Sequence, residues 1–335
     1  MRTIEFIFRK KNPGNFSIEK VYHTIISELE SNPEFEYETS QKVLNRNYDW
    51  KAFFKAFLSS IFKRKTAIHV TGACNYMILA HPFQKRILTI HDLFLYKKYP
   101  GIKGKLYDLF FLDIPGRFAH HIVAISQQTK DEIVSFHPKF EKKMSILHNP
   151  LVIPQEYVQV RKRSLTADAP MRILQIGDKA LKNYERLLEA THDMNVTYTF
   201  IHGDRSKIDA LIEKFGLQQR ATVYNRITDQ ELYAAYNDCD VLFFASEAEG
   251  FGLPILEAQA FGMPVVTANL PPMSVIGKDT IMVDPFSVAA IKDGFQQLYD
   301  SALLERMLAK GFENVAQFSP EAVAMNYLKF YKEQL

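Results

Sequence analysis

The chain is poor in cysteine and has no long apolar run. Only Cys74 and Cys239 occur in 335 residues, far apart and without a CxxC spacing. That argues against a disulfide framework or a thiolate zinc site and fits a reducing cytoplasm. No apolar stretch approaches the ~20 residues of a membrane span. The opening "MRTIEFIFRKK" has too short an apolar run for a secretory signal, so any membrane contact is expected to be peripheral. Neither sign of charge dominates; the net charge of +3 gives no argument for nucleic acid. No G-x-G-x-x-G turn follows the first strand of either half, which disfavours a nicotinamide dehydrogenase. No Asp-x-Asp cluster ends a strand, and His120, His121, His137 and His148 show no ligand grouping, so no metal is expected. Repeats and low-complexity segments are absent.

What is present is alternation. Thr3–Phe8, "AIHVTG", "RILTIHD", "HIVAIS" and "MSILHNP" are short β-rich runs, and Ser17 to Leu29 carries helical spacing. Ser126 is placed to cap the helix after "HIVAIS", with Glu132 as its companion. Residues 151–170, with two prolines and a basic cluster, read as an interdomain linker. A second alternation starts at "MRILQIG" and includes a capping box at Thr228 and Glu231. Strands alternating with helices predict parallel, doubly wound α/β sheets. The reading gives an N-terminal Rossmann-like domain over 1–160 and a second over 170–318. A final helix, 319–335, is positioned to return to the first domain. Ligands bind such sheets outside the carboxyl ends of the strands, so two facing edges would form a central cleft.

The buried-type strand "DVLFFAS" delivers "EGFGLPILE", in which Glu249 and Glu257 bracket a Gly-Phe-Gly-Leu-Pro turn. Gly250 and Gly252, with Phe251 and Leu253 beside them, let a ligand approach the backbone closely. Pro254 suits the first turn of a helix whose N-terminus favours phosphate. Glu257 can accept from a ribose diol, and Glu249 can bind hydroxyls beyond the phosphates. The blander alternative is two acids drawn to a helix dipole worth only ~0.3–1 kcal/mol. Lys182, after "QIG" with its Gly177, is either a solvated surface lysine or a point charge for a diphosphate. His91, ending "LTIHD", is either a hydrogen-bonded strand-end residue or a sugar or acceptor contact.

"EGFGLPILE" resembles the signature of retaining GT-B glycosyltransferases of family 4. "ILQIGDKALKNYERLLEA", "VVTANLPPMSVIGKDTIMVDPFSVAAI", "LTIHDLF", "AISQQTKDEI" and "ILHNP" fall in the order of that family, so the resemblance covers nearly the whole chain. It implies a GT-B fold and transfer of a sugar from a nucleotide-sugar donor, which is a substrate rather than a cofactor. The acceptor would be the hydroxyl of a glycan or lipid-linked molecule. It also implies a same-face mechanism in which Glu249 orients the sugar and Lys182 neutralises the leaving diphosphate. Glu257 would hold the ribose, His91 would touch sugar or acceptor, and Gly14 would lie over the diphosphate. Three departures stand out. Asp178 follows Gly177 where the family often has arginine, leaving Lys179 as the candidate substitute. Met273 follows Pro272 where a glutamate is common. The N-terminal glycine loop is reduced to "NPGNFS". Other readings are a sugar-nucleotide epimerase, a phosphorylase, or a non-catalytic membrane-associated scaffold.

"WKAFFKAFLSSIFKRK", Trp50 to Lys65, puts Trp50, Phe53, Phe54, Phe57, Leu58, Ile61 and Phe62 on one helical stripe amid Lys51, Lys55, Lys63, Arg64 and Lys65. Packing of that stripe on the first sheet is favoured, since any helix there must bury a face. The alternative is contact with anionic lipid at the inner face of the membrane, which "YKKYPGIKGKLYDLFF" keeps open.

Overall fold

The computed structural model describes residues 2–10, 17–46, 49–63, 65–93, 101–161, 163–177, 180–201, 205–225 and 227–335. The chain forms two units: Met1–Val152 with Phe318–Leu335, and Ile153–Gln317.

Unit 1 runs β1 (Arg2–Phe8), α1 (Ser17–Ser31), β2 (Tyr37–Val43), α2 (Trp50–Ser60), β3 (Thr66–Val70), β4 (Arg86–Ile90), α3 (Ile102–Asp108), α4 (Ile114–Phe118), β5 (His121–Ala124), α5 (Gln127–Phe136) and β6 (Met144–Ile146). Its six strands are parallel in the order β2-β1-β3-β4-β5-β6. The near-continuous apolar runs of β3, β4 and β5 suit strands covered on both faces. The sequence reading did not include β2. Its "YETSQKV" has no apolar alternation and pairs with β1 alone, as an edge strand can.

Unit 2 runs β7 (Met171–Ile176), α6 (Tyr184–Thr191), β8 (Val196–Ile201), α7 (Arg205–Lys214), β9 (Ala221–Tyr224), α8 (Asp229–Asp238), β10 (Val241–Phe244), α9 (Leu253–Ala260), β11 (Val265–Ala268), α10 (Met273–Ile276), β12 (Ile281–Val283), α11 (Val288–Gln297) and α12 (Ser301–Ala316). The parallel order is β12-β11-β10-β7-β8-β9. Every residue of β10 and β11 is buried. Helix starts are set by side chains: Thr228 and Glu231 form a reciprocal box at α8, and Ser287 and Asp300 cap α11 and α12. In unit 1, Ser126 accepts from the Thr129 amide at the start of α5, and Glu132 accepts from Gln128 Nε2 at 3.1 Å.

Residues 153–161 and 163–165 pack on unit 2. Ile153, Tyr157, Val158 and Leu165 lie against its core. Arg161 donates to Cys239 O and Asp240, and buried Arg163 to Tyr236 O, Phe261 O and Gly262 O. The carbonyls at the ends of α8 and α9, left over by helix geometry, thereby find donors.

The aromatic stripe of α2 does not pack on the sheet. Ala56 and Ser60 are its buried residues, with Ala52, Phe53 and Ser59 partly covered. Trp50, Phe54, Phe57, Leu58, Ile61 and Phe62 are exposed. The helix turns its small-residue face inward, where alanine and serine permit close approach. Apolar period was a correct guide to helix formation and a wrong guide to which face is buried.

The last helix, α13 (Pro320–Gln334), packs on α1 in unit 1 and completes a buried polar cluster. His69 Nδ1 meets the Tyr331 hydroxyl at 2.7 Å and its Nε2 meets Thr89 Oγ1 at 2.8 Å. Tyr22 shares a 2.5 Å bond with Thr89 Oγ1. Burial pushes His69 down to about 3. Buried His81, whose ring nitrogens have no partner among the described residues, is also pushed down to about 3, by burial first and then by nearby cations.

These two histidines make unit 1 acid-sensitive. Their folded values lie below the unfolded value of about 6.5, so the unfolded chain binds protons that the folded unit refuses. Their stabilisation is complete above that unfolded value and falls as pH drops toward the folded values. At about pH 5 each should cost roughly 2 kcal/mol relative to neutrality. Denaturant titrations across this range should show the loss, and His81→Leu should flatten the slope by about one proton. An unchanged slope in that variant would contradict the assignment.

Candidate functional site

In unit 2, β7 is followed by β8 and β9 on one side, and the chain then crosses to β10 on the other. Their carboxyl ends form the switch point of the sheet, where open α/β folds bind ligands. Both motif-bearing segments emerge there: Gly177, with 180–182, after β7 and 245–252 after β10.

Gly177 has φ of +114°, in the left-handed region. A Cβ at this position would stand 2.6 Å from Lys182 Cε. Glycine therefore lets the chain turn and lets Lys182 lie back across the strand end. Lys182 Nζ donates to Glu249 Oε1 at 2.5 Å and sits 4.5 Å above the Phe244 ring. Both members of the pair are mostly shielded from solvent, where charges interact more strongly than in bulk water.

The next residue, Asn183, is a non-glycine with φ of +63°. Its Nδ2 donates to Ala245 O at 3.0 Å and Pro285 O at 2.6 Å, and its Oδ1 accepts from Arg186. Arg186 also reaches Glu247 Oε1 at 2.7 Å, and the Glu247 amide donates to Leu181 O. The two loops are thus bonded to one another on both sides of the Lys182–Glu249 pair. Buried Ser246 Oγ and Gln175 Oε1, at the same strand ends, lack a partner among the described residues.

Gly252, with φ of +109°, starts α9, and no side chain caps that helix. An uncapped first turn leaves amide donors and the positive end of the dipole available to an anion. Phe251 is buried, and Leu253 opens the helix. One turn in, Glu257 Oε2 accepts from Tyr236 Oη at 2.7 Å. Tyr236 is wholly buried and stacks on Phe261 at 5.2 Å and 9°. Burial, and then the Glu257 carboxylate, raise the Tyr236 hydroxyl well above its usual value, so it stays a donor.

His91 belongs to unit 1, just beyond β4. Its Nε2 donates to Thr71 O at 2.8 Å, because a carbonyl can only accept. That bond leaves Nδ1 as the acceptor nitrogen of the neutral ring. Burial lowers its pKa, while the Thr71 bond and Asp92 oppose the shift. Gly72, with φ of +119°, makes room for the ring: a Cβ would lie 2.6 Å from His91 Cδ2. Arg9 Nε pairs with Glu19 Oε1 at 3.2 Å after β1, and buried Glu19 Oε2 lacks a partner among the described residues.

The structure therefore brings Gly177, Lys182, Glu249, Gly250, Phe251, Gly252, Leu253 and Glu257 to one sheet edge. Gly14 and Lys179, with Asp178, lie outside the described residues. Sequence reasoning missed Asn183, Arg186, Tyr236, Arg9, Glu19 and Gly72. A tyrosine on an amphipathic helix reads as core, but a glycine directly after a strand, as in "VTGAC", was a usable signal. No three potential metal ligands are grouped among the described residues.

Residues 160–314 match the family of glycosyl transferases group 1. The chain is 26% identical over 181 residues to the serotype-specific mannosyltransferase WbdA of Escherichia coli, covering 53% of this chain and 22% of that relative. It thus spans about a fifth of the length of that curated relative. Among solved structures, the lipopolysaccharide outer core galactosyltransferase WaaB aligns with a TM-score of 0.71 at 16% identity, over 98% of this chain and 99% of that one. The pneumococcal O-GlcNAc transferase GtfA, in complex with UDP and GlcNAc, aligns with a TM-score of 0.60 at 16% identity, over 85% of this chain and 60% of that one. The segment that matches glycosyl transferases group 1 lies within unit 2, and the two parallel six-stranded sheets have the GT-B architecture.

Gly177→Ala should displace Lys182 from Glu249 and destabilise unit 2 by on the order of 2 kcal/mol, the scale of losing one charge-assisted hydrogen bond. Gly216→Ala is the control. Its φ of +67° is also positive, with nothing within 4 Å of the added carbon. Denaturant titration that finds both variants equally destabilised would show that the positive φ alone, and not Lys182, is responsible.

Proposed function

We propose that the chain transfers a hexosyl group from a nucleotide-sugar donor to a hydroxyl of a glycan or lipid-linked acceptor, retaining anomeric configuration and using no metal. The observation that carries this reading is the shielded Lys182–Glu249 pair at the switch point of unit 2. A cation held there suits a diphosphate, and the carboxylate beside it suits the sugar hydroxyls.

In the ligand-free chain, Glu249 satisfies Lys182. A bound diphosphate takes over the ammonium and frees Glu249 for the sugar. Glu257, held by Tyr236, accepts from the ribose diol, and the Gly250–Gly252 turn brings the start of α9 to the phosphates. During transfer, the bond between the anomeric carbon and the diphosphate oxygen breaks. The acceptor oxygen bonds to that carbon on the same face, and its proton passes to the departing diphosphate. Lys182 and the α9 N-terminus stabilise the charge that develops on the leaving group. His91, through Nδ1, accepts from a sugar or acceptor hydroxyl.

A thermal-shift screen of UDP-, GDP-, ADP- and CMP-sugars tests donor binding, since a ligand that binds only the folded state raises its stability. No stabilisation by any of them would overturn the reading. Product analysis distinguishes transfer from donor epimerisation or phosphorolysis.

Removing either partner of the pair should have opposite effects on nucleotide affinity. Glu249→Gln should lower turnover on the order of a hundredfold to a thousandfold. It should also bind the free nucleoside diphosphate as tightly as wild type or better, because Lys182 no longer has a competing partner. Lys182→Met, similar in length, should lose turnover more than it raises the donor Michaelis constant. Full turnover in either variant would remove that residue from the mechanism.

A further inference from the structure

Unit 1 exposes two apolar stripes that the donor chemistry does not use. On α2 and the turn after it, Trp50, Phe54, Phe57, Leu58, Ile61 and Phe62 face solvent, with Leu58 at 64% and Phe62 at 88% exposure. On the helical segment from Ile102, the residues Ile102, Leu106, Leu109 and Phe110 are exposed, Ile102 at 79%. Their spacing places these four on one helical face. Soluble monomers rarely leave large contiguous apolar patches on their surface.

The two stripes flank one structural feature. The turn Asn75–Ala80 packs against both α2 and the segment around 109–118. Tyr76 lies against Trp50 and Phe53, with ring centroids 5.8 and 6.4 Å away. Asn75 Nδ2 donates to Phe111 O at 2.6 Å. Both stripes therefore flank the same turn of unit 1.

Charge selects the occupant. Residues 50–65 contain no acid, and Lys51, Lys55, Lys63 and Lys65 border the first stripe, all exposed. Lys63 also reaches Glu5 at 3.7 Å. Lys103 and Lys105 border the second stripe, and its one acid, Asp108, is engaged by His137 at 2.8 Å. A second copy of this chain would bring like charges together around its apolar centre. An anionic lipid surface supplies both complements: headgroup charge for the lysines and an acyl boundary for the aromatic side chains.

We infer that unit 1 docks on an anionic bilayer through α2, with the stripe from Ile102 engaging beside it. The apolar side chains enter the acyl boundary and the lysines stay at the headgroups. No helix among the described residues is long and apolar enough to span a membrane. The inference goes beyond the proposed transfer reaction and stands or falls without it.

The chain carries its own probe, since Trp50 is its one tryptophan and lies within the first stripe. The test mixes the full chain with vesicles of phosphatidylcholine, alone or containing phosphatidylglycerol. Anionic vesicles should shift Trp50 emission to the blue, protect it from acrylamide and sediment the protein; phosphatidylcholine alone should do so far less. Replacing Lys51, Lys55, Lys63 and Lys65 with glutamine should reduce partitioning by on the order of a thousandfold. Leu58→Glu with Phe62→Glu should abolish the blue shift while circular dichroism is unchanged. No blue shift with anionic vesicles at low salt would overturn the inference. So would equal binding to both vesicle types, or a lipid-free dimer that already shields Trp50.

Discussion

One ion pair organises the second unit. Lys182 and Glu249 come from loops after different strands, 67 residues apart, and meet at 2.5 Å. A shielded pair is destabilising if either partner is misplaced, so everything around it serves alignment. Gly177 clears the path of the lysine stem. Asn183 bonds β10 and the 285 carbonyl from a left-handed backbone, and the Glu247 amide bonds the Leu181 carbonyl. The parallel sheet makes the meeting possible, because all strand carboxyl ends emerge at one edge.

The same logic is weaker in unit 1. There the strand ends gather Arg9, Glu19, Gly72 and His91, and His91 is held by one backbone carbonyl rather than by an opposing charge. A neutral ring with one nitrogen occupied suits recognition of a hydroxyl. It does not suit holding a phosphate, which asks for the fixed cation that unit 2 supplies.

The alternating α/β plan was legible because buried parallel strands are short apolar runs bounded by turn residues. The strands left out, β2 and β12, lack that signature: one is a half-exposed edge of polar residues and the other is three residues long. In the candidate site, the residues that the structure gathers at the strand ends of unit 2 could be picked out by their position after strands. The residues that hold them could not. Tyr236 acts on Glu257 through a hydroxyl that helical periodicity classes as core. Asn183 acts through a backbone conformation that no pattern displays. In α2 the periodic signal marked the helix but pointed the wrong way, since alanine and serine packed more closely than the aromatics could.

The cluster of Tyr22, His69, Thr89 and Tyr331 also sets an order of events during synthesis. Sheet and helices of unit 1 are translated first, yet Tyr331 follows the whole of unit 2 in the chain. While residues 153–317 emerge, His69 Nδ1 has no hydroxyl to meet, and the face of α1 that α13 covers stays open. Unit 2, being contiguous, can close its core on the ribosome. Unit 1 closes only after α13 has emerged, so residues made before unit 2 belong to a core completed after it, and a chain stalled within α13 would present a finished unit 2 and an unfinished unit 1.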